Sequence, residues 1–269
     1  MHFRRIFAFF VLFFIAVATH AQQPAVPRTG PSPRAAQQAS PPQAGELQQP
    51  DSAHPYLDFQ TKMDVDVDGA PNTYGPPDKP TLDTLRNAQL KNDATQIVGY
   101  LVDENKQPVV QTAHDPYPGY YISTTAFCDQ CDGDNARDPA RYIDATKVNY
   151  VVLGSFGHRR GVRLGDLAAV HCSRTNRTLF AVVGDDGNQS GGEGSLHLLQ
   201  GLGYPFVDGR DGTAPREEIT VRYFPHSNPT LKFFHTQAEI DAEAKRLGLN
   251  ADFSSAAAPE KSIAAPASH

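Results

Sequence analysis

The sequence contains no tryptophan, only three cysteines and a single long hydrophobic run. It also lacks any excess of basic residues, because 24 Lys and Arg face 30 Asp and Glu, for a formal net charge of -6. Proteins that bind nucleic acid cluster Lys and Arg against the phosphates, so this composition argues against a nucleic-acid partner. A mildly acidic chain is better suited to a cationic partner.

The hydrophobic run covers residues 6–18 and follows Arg4 and Arg5. Thirteen apolar residues are too few to cross a bilayer comfortably, and Ala21 is a small residue at the expected cleavage point. We therefore interpret residues 1–21 as a secretory signal peptide. The sequence then predicts an exported protein, extracellular or periplasmic, with no membrane attachment after cleavage. The alternative is an N-terminal anchor that is not cleaved.

Two further segments have low complexity. Residues 22–54 are rich in Pro, Gln, Ala and Ser, and residues 250–269 form a similar tail. Neither has the apolar content needed to offset the entropy of ordering, so we expect a disordered linker and a disordered tail. One catalytic β domain is expected between them, at residues 55–249.

Cys128 and Cys131 form a CxxC, and Cys172 stands alone. A single CxxC cannot supply a four-ligand zinc site, and the ten His show no metal-ligand spacing. The motif lies in a loop rich in Asp and Gly, whereas a redox CxxC lies where a strand meets a helix. In an exported chain a local disulfide between Cys128 and Cys131 is therefore the preferred interpretation.

The foldable region is dominated by short segments rich in β-branched and aromatic residues and bounded by turn residues. A convincing helix begins after Thr236, where Glu239 completes a capping box, and ends at Gly248. Weaker helices are expected at residues 81–90 and 195–202. We predict an all-β or mainly β fold, a single barrel-like domain with a few peripheral helices, of which the double-psi barrel is one form. The expected strands are residues 95–102, 119–125, 150–154, 167–172, 178–183 and 218–224.

The segment 63–69, MDVDVDG, begins like an EF-hand calcium loop. Its twelfth position is Gly75 where a bidentate Glu is required, so that interpretation fails. As a strand, the segment places Asp64, Asp66 and Asp68 on one face. Three carboxylates along one face suit a cationic ligand such as a protonated amino-sugar chain. A solvated acidic edge strand is the alternative.

The segment 178–201 carries the strongest catalytic signal. An apolar strand runs into Gly184 and Asp185, and Glu193 follows eight positions later, after a loop rich in glycine. Two carboxylates facing each other are what glycoside hydrolysis needs, one as acid and one as base or nucleophile. A partly apolar environment raises one pKa so that this carboxyl keeps its proton. The alternative is a surface loop whose Asp and Gly only form turns.

Together these segments resemble the fungal-type chitosanases of glycoside hydrolase family 75. The resemblance covers roughly residues 55–223 and rests on the order and spacing of five motifs. These are MDVDVDGA at 63–70, NYVVLG at 149–154, LAAVHC at 167–172, AVVGD at 181–185 and GEGS at 192–195. The chain departs from the family at Val183, where an aromatic residue is common, and in having no tryptophan.

The resemblance implies a hydrolase that cleaves the β-1,4 bonds of chitosan from within the polymer, with inversion and without a cofactor or a metal. Asp185 and Glu193 match the catalytic pair, with Glu193 expected as general acid and Asp185 as general base. Inversion implies carboxyl groups about 6.5–9.5 Å apart. Asp64, Asp66 and Asp68 are expected to bind glucosamine ammonium groups. Tyr120, Tyr121 and Tyr204 are candidates for sugar stacking, with packing in the core as the favoured alternative for each. A monomer is expected.

Two other functions remain open. A hydrolase or lyase of another wall polysaccharide, such as peptidoglycan, predicts a cleft with few acidic residues beyond the pair. A non-catalytic carbohydrate-binding or envelope protein predicts that Asp185 and Glu193 diverge or pair with Arg. Catalysis through Ser or Cys has little support, because the sequence has no G-x-S-x-G and Cys172 lies inside an apolar strand.

Overall fold

The computed structural model describes residues 54–90, 92–187 and 191–254. The predicted signal peptide, residues 1–21, lies outside the described residues, as do the linker up to residue 53 and the tail beyond residue 254. All of the described residues belong to one compact unit.

Eight strands of the described residues form one large sheet. A separate two-stranded hairpin is made by β3 (Gln89–Leu90) and β4 (Asp93–Ile97). The strands of the large sheet are β1 (Leu57–Gln60), β2 (Met63–Asp66), β5 (Tyr150–Leu153), β6 (Leu167–Cys172), β7 (Arg177–Asp186), β8 (Glu193–Ser195), β9 (Thr213–Ala214) and β10 (Ile219–Phe224). Their order across the sheet is β1-β10-β6-β7-β5-β8-β2-β9.

The sheet is strongly curled. β1 is its first strand and β2 its seventh, yet only Thr61 and Lys62 connect the two. The N–H of Thr61 donates to the Ile219 carbonyl at 3.2 Å, and that of Asp64 donates to the Gly192 carbonyl at 2.8 Å. A sheet of this width closes over so short a connection only by curling into a half-barrel. The prediction of a mainly β domain with few helices is confirmed; its double-psi form stays a prediction.

Two parallel pairings decide where the carboxylates lie. β5 pairs parallel to β7, and β2 pairs parallel to β8, whereas β5 and β8 are antiparallel. The carboxyl ends of β5 and β7 therefore meet at one edge, where Val152 and Asp185 are in register. Strand β5 lies directly between β7 and β8.

The described residues form three α-helices: α1 (Ser155–His158), α2 (Leu196–Gly201) and α3 (Gln237–Leu247). Short 3-10 helices occupy Gly133–Arg137 and Pro139–Arg141. The capping box of Thr236 and Glu239 is present at the start of α3, and Gly248 ends the helix with φ 65°. Ser195 caps α2 through its side chain. Both helices match the sequence-based prediction to within a residue or two.

The helix predicted at residues 81–90 does not form. This stretch consists of turns that lead into β3. The Asp83 carboxylate accepts hydrogen bonds from the Thr84 N–H at 2.6 Å and the Asn87 amide at 2.8 Å. A short polar side chain that bonds to nearby backbone groups competes with helix formation, which explains why the prediction was wrong.

The packed structure extends past Leu249, into the segment predicted as a disordered tail. Arg222 on β10 is fully buried and forms an ion pair with Asp58 on β1 at 2.7 Å. Its guanidinium also donates to the carbonyls of Asn250 and Asp252, and it lies 4.1 Å from the centroid of the Phe253 ring. Residues 250–254 are therefore held against the sheet, since they satisfy donors of a buried charge.

Candidate active site

The acidic segment on β2 alternates as its sequence predicts. Met63, Val65 and Val67 are buried, whereas the three Asp between and after them stay partly open to solvent. Asp66 is the last residue of the strand, and Asp68 lies in the turn that follows. Asp64, Asp66 and Asp68 therefore line one face, as predicted from the two-residue period of a strand.

Asp64 differs from the other two in its surroundings. Its carboxylate accepts a hydrogen bond from Thr213 Oγ1 at 2.6 Å and forms an ion pair with the exposed Lys62. Asp66 instead accepts the N–H of Asp68 at 2.9 Å, which holds the two side by side. Asp66 and Asp68 thus belong to the interior of the acidic face, and Asp64 to its rim.

Asp185 lies near the end of β7, where the strand passes closely against its neighbours. A Cβ on Gly184 would lie 2.7 Å from Tyr150 Cβ and 2.9 Å from Ile143 Cδ1, so only glycine fits at that position. The half-buried Asp185 Oδ1 accepts the N–H of Ala126 at 2.9 Å and the N–H of Asp186 at 2.7 Å. These two bonds fix the orientation of the carboxyl group.

Glu193 begins β8, where it pairs in register with Asp64 of β2. On the other side of β8, Gly194 pairs with Val151 of β5. Because β5 separates β7 from β8, the backbones that carry Asp185 and Glu193 are about 10 Å apart. Glu193 Oε2 reaches to within 3.0 Å of where a Cβ on Gly187 would lie, close to the end of β7. The structure therefore brings the predicted pair to one site.

The electrostatics of Asp185 reflect this crowding of acids. Burial, followed by the charge of Asp66 and, more weakly, that of Glu193, raises the pKa of Asp185 to about 8. The bonds from Ala126 and Asp186 oppose this rise. A carboxyl group with such a pKa holds its proton at neutral pH, which ordinary surface carboxyl groups do not.

The neighbouring acids are perturbed in the same direction. Burial raises the pKa of Asp66. Burial also raises the pKa of Asp68 well above its usual range, with the charges of Asp66 and Asp185 adding to the effect. Titratable groups whose pKa values are displaced together in a cleft are typical of functional sites.

Sequence reasoning missed three members of the site. Burial raises the pKa of Asp83 to about 6, with a contribution from the charge of Asp66. Tyr74 donates to Asp68 Oδ1 at 2.7 Å, and Tyr150 donates to the Asp68 carbonyl at 3.1 Å. Both tyrosines are buried, so the motif containing Tyr150 was interpreted only as a core strand. A polar aromatic residue at the start of that apolar strand was the one available signal.

Two of the tyrosines that are candidates for sugar stacking contact other residues. Tyr120 is 8% exposed and donates its hydroxyl to the Pro80 carbonyl at 2.9 Å. Tyr121 packs against Tyr100, with ring centroids 5.1 Å apart. The buried Tyr120 ring therefore offers no face for a sugar, whereas the half-buried Tyr121 stays a candidate.

The loop that supplies the Ala126 N–H also contains the CxxC. Cys128 and Cys131 are paired as a disulfide, and Cys172 is free and buried. The N–H of Phe127 donates to the Gly184 carbonyl at 3.0 Å, which ties this loop to the end of β7. The disulfide therefore lies within a few residues of a group that orients Asp185.

The described ranges contain no group of three or more His, Cys, Asp or Glu arranged to hold a metal ion. Within the same residues, no helix is both long and apolar enough to cross a membrane. Arg and Lys side chains in this part of the chain form no ion pair with Asp185. No family model matches the sequence, and no curated protein matches it.

Proposed function

We propose that this chain is a secreted glycoside hydrolase that cleaves the β-1,4 bonds of a cationic amino-sugar polymer of the chitosan type. The observation that carries the proposal is the placement of Asp185 and Glu193 on either side of β5 at one edge of the sheet. Their backbones are about 10 Å apart, which is compatible with an inverting separation of about 6.5–9.5 Å between carboxyl groups. Inversion uses this gap to admit a water molecule.

The sequence-based assignment of roles is reversed in this proposal. A general acid has to hold a proton before the reaction begins, and the pKa of Asp185 is raised to about 8 by burial and by Asp66. Asp185 then protonates the leaving oxygen, and Glu193 takes a proton from the attacking water. The two backbone N–H groups on Oδ1 leave Oδ2 of Asp185 to carry the proton.

The acidic residues beyond the pair support a cationic substrate. Asp66, Asp68 and Asp83 all lie close enough to influence one another's pKa. An ammonium group bound among these carboxyl groups stabilises their ionised forms. Substrate binding therefore offsets part of the electrostatic repulsion between neighbouring carboxylates. A hydrolase of another wall polysaccharide would not need these extra acids.

A non-catalytic protein is the other class considered. This hypothesis predicts that Asp185 and Glu193 lie apart in space or form ion pairs with Arg. Asp185 instead accepts two backbone N–H bonds, and its pKa responds to the charge of Glu193. These observations favour the enzyme, which is expected to act as an exported monomer without a cofactor.

Incubation of the purified exported chain with chitosan and with chitin, measuring released reducing ends, tests the proposal. We expect activity on chitosan and a loss of at least ~100-fold in Asp185→Asn and in Glu193→Gln. Glu104→Gln, which changes an exposed carboxylate in a turn, is the matched control and should keep full activity. Inactive wild-type protein, or full activity in either catalytic variant, rules the proposal out.

A further inference from the structure

A cavity of about 380 Å³ opens at the far ends of β5 and β7 from the carboxylate pair. Its walls include Asn149 before β5, Leu179 on β7, His197 on α2, and Gln237 and Asp241 on α3. Leu179 precedes Asp185 by six residues along β7, which places the two about 20 Å apart. The cavity is therefore separate from the proposed catalytic site.

Hydrogen-bond donors of the cavity wall are largely used by the protein itself. The Gln237 amide donates to the Phe180 carbonyl at 3.0 Å and to Asp241 Oδ1 at 2.8 Å, which accounts for both of its hydrogens. The Asn149 amide donates to the same carbonyl at 3.0 Å. These bonds fix which end of each amide is the oxygen.

The tautomer of His197 follows from that assignment. Asn149 Oδ1 lies 2.7 Å from His197 Nδ1, and an amide oxygen only accepts, so Nδ1 carries the hydrogen. Nε2 then holds a lone pair, and it has no hydrogen-bond partner among the described residues. Among the described residues, the only fully buried side-chain N or O atom without a partner is Arg160 Nε. Because His197 Nε2 has no partner and is not such an atom, it is exposed at the cavity wall.

His197 Nε2 and the second carboxylate oxygen of Asp241 can therefore accept hydrogen bonds from a ligand. Burial lowers the pKa of His197, although the charges of Asp144 and Asp241 oppose the effect, so the imidazole is neutral at physiological pH. The second carboxylate oxygen of Asp241 adds an exposed negative charge, and Leu179 adds an apolar wall. A ligand that complements this surface has to bring donors, a positive charge and a small apolar face.

We propose that this cavity is a second binding site for an amino-sugar unit, with the ammonium group on Asp241 and a hydroxyl donating to His197 Nε2. The site uses none of the catalytic residues and goes beyond the proposed reaction. A polymer bound at both sites gains affinity through the high effective concentration of its second segment. This role rests on the proposed function: the cavity holds the polymer against the domain while bonds are cleaved about 20 Å away.

Glucosamine tests the site without interference from turnover, because the monomer has no glycosidic bond. We expect its addition to shift the His197 ring signals in an NMR titration, and N-acetylglucosamine, which has no ammonium group, to bind less tightly. Asp241→Asn should weaken glucosamine binding about 10-fold, the scale of a charge-assisted hydrogen bond. Because Asp241 is exposed, this variant is expected to fold; Asp134→Asn, an exposed carboxylate elsewhere, is the matched control and should bind as wild type does.

Unchanged His197 signals, equal affinity for the two sugars, or wild-type affinity in Asp241→Asn each overturns the inference. The outcome is independent of the catalytic proposal. A protein that cleaves chitosan while His197 ignores glucosamine retains the proposed function and loses the second site. A protein that binds glucosamine at His197 without cleaving any polymer retains the site and loses the function.

Discussion

The backbone N–H of Ala126 donates to Asp185 Oδ1 over 2.9 Å, linking two residues 59 positions apart in the chain. Ala126 precedes the loop closed by Cys128 and Cys131, and Phe127 is bonded to the same end of β7. The orientation of the central carboxyl group therefore depends on a loop that is distant in sequence.

Replacing both cysteines, as Cys128→Ser with Cys131→Ser, should lower the free energy of unfolding by about 2 kcal/mol, since a short closed loop restricts the unfolded chain modestly. Activity on chitosan should fall further than this stability loss explains, because the Ala126 donor is no longer held in place. Urea unfolding and activity at a temperature where both proteins are folded measure the two effects. Wild-type protein kept reduced is the control, and it should match the double variant. Equal specific activity in oxidised and reduced protein contradicts the prediction.

The pKa of Asp185 makes stability depend on pH in a defined direction. The folded protein keeps this proton up to about pH 8, whereas the unfolded chain releases it near the ordinary aspartate pKa of 3.8. The folded state binds more protons between these values, so the free energy of unfolding falls as pH rises through that window. In Asp185→Asn the fall should be shallower by up to about 1.4 kcal/mol per pH unit.

Urea denaturation from pH 5 to 8 measures this difference. Asp185→Asn should be more stable than wild type at pH 8, although the activity is lost. The control Asp134→Asn should follow the wild-type curve. An identical pH dependence in Asp185→Asn and wild type would mean that Asp185 is ionised throughout the range.

The proposed roles of acid and base can be separated by the choice of substrate. A leaving group that needs no protonation, such as a nitrophenol, removes the need for a general acid. Asp185→Asn should therefore lose at least ~100-fold on chitosan but far less on a nitrophenyl amino-sugar oligomer. Glu193→Ala should lose activity on both substrates and regain it with azide, which replaces the activated water. The opposite pattern would restore Glu193 as the acid and Asp185 as the base.

The buried ion pair between Asp58 and Arg222 should be a main support of the fold. The Arg222 side chain is 0% exposed. In Arg222→Met the Asp58 carboxylate loses its ion pair, and the carbonyls of Asn250 and Asp252 lose their guanidinium donor. We expect a cost of about 3–5 kcal/mol in the free energy of unfolding. Arg246→Met removes an exposed pair with Glu243 by the same chemical change and should cost less than about 1 kcal/mol. Similar costs for the two variants in denaturant titrations would contradict the prediction.

Much of the fold was predictable because its signals are local. The two-residue alternation of Met63, Val65 and Val67 is a property of the strand itself, and it placed the Asp residues on one face. The capping box at Thr236 and Glu239 involves residues three positions apart. The prediction failed at residues 81–90, where Asp83 bonds to Thr84 and Asn87, because a competing local interaction was not weighed.

The residues of the site also divide into those that local sequence signals predicted and those that were missed. Asp185 and Glu193 were found from glycines beside acids at the edges of apolar segments. Tyr150 and Asp83 were missed because they reach the acidic cluster only through tertiary contacts. Tyr74 lies six residues after Asp68, and it was missed because the turns between them, which bring its hydroxyl back to that carboxylate, were not considered. Tyr120 was chosen for its aromatic ring, but its hydroxyl is used within the interior.

The sequence by itself determined that the chain builds a mainly β domain and that acids follow an apolar strand and a glycine-rich loop, because side-chain period and turn chemistry act over a few residues. Only the tertiary structure decided which acids have raised pKa values. Parallel pairing of β2 with β8 and of β5 with β7 brings Asp66 and Glu193 to Asp185, where burial and these two charges raise its pKa. A pKa depends on neighbours in space, and those neighbours lie between 8 and about 120 residues away along the chain.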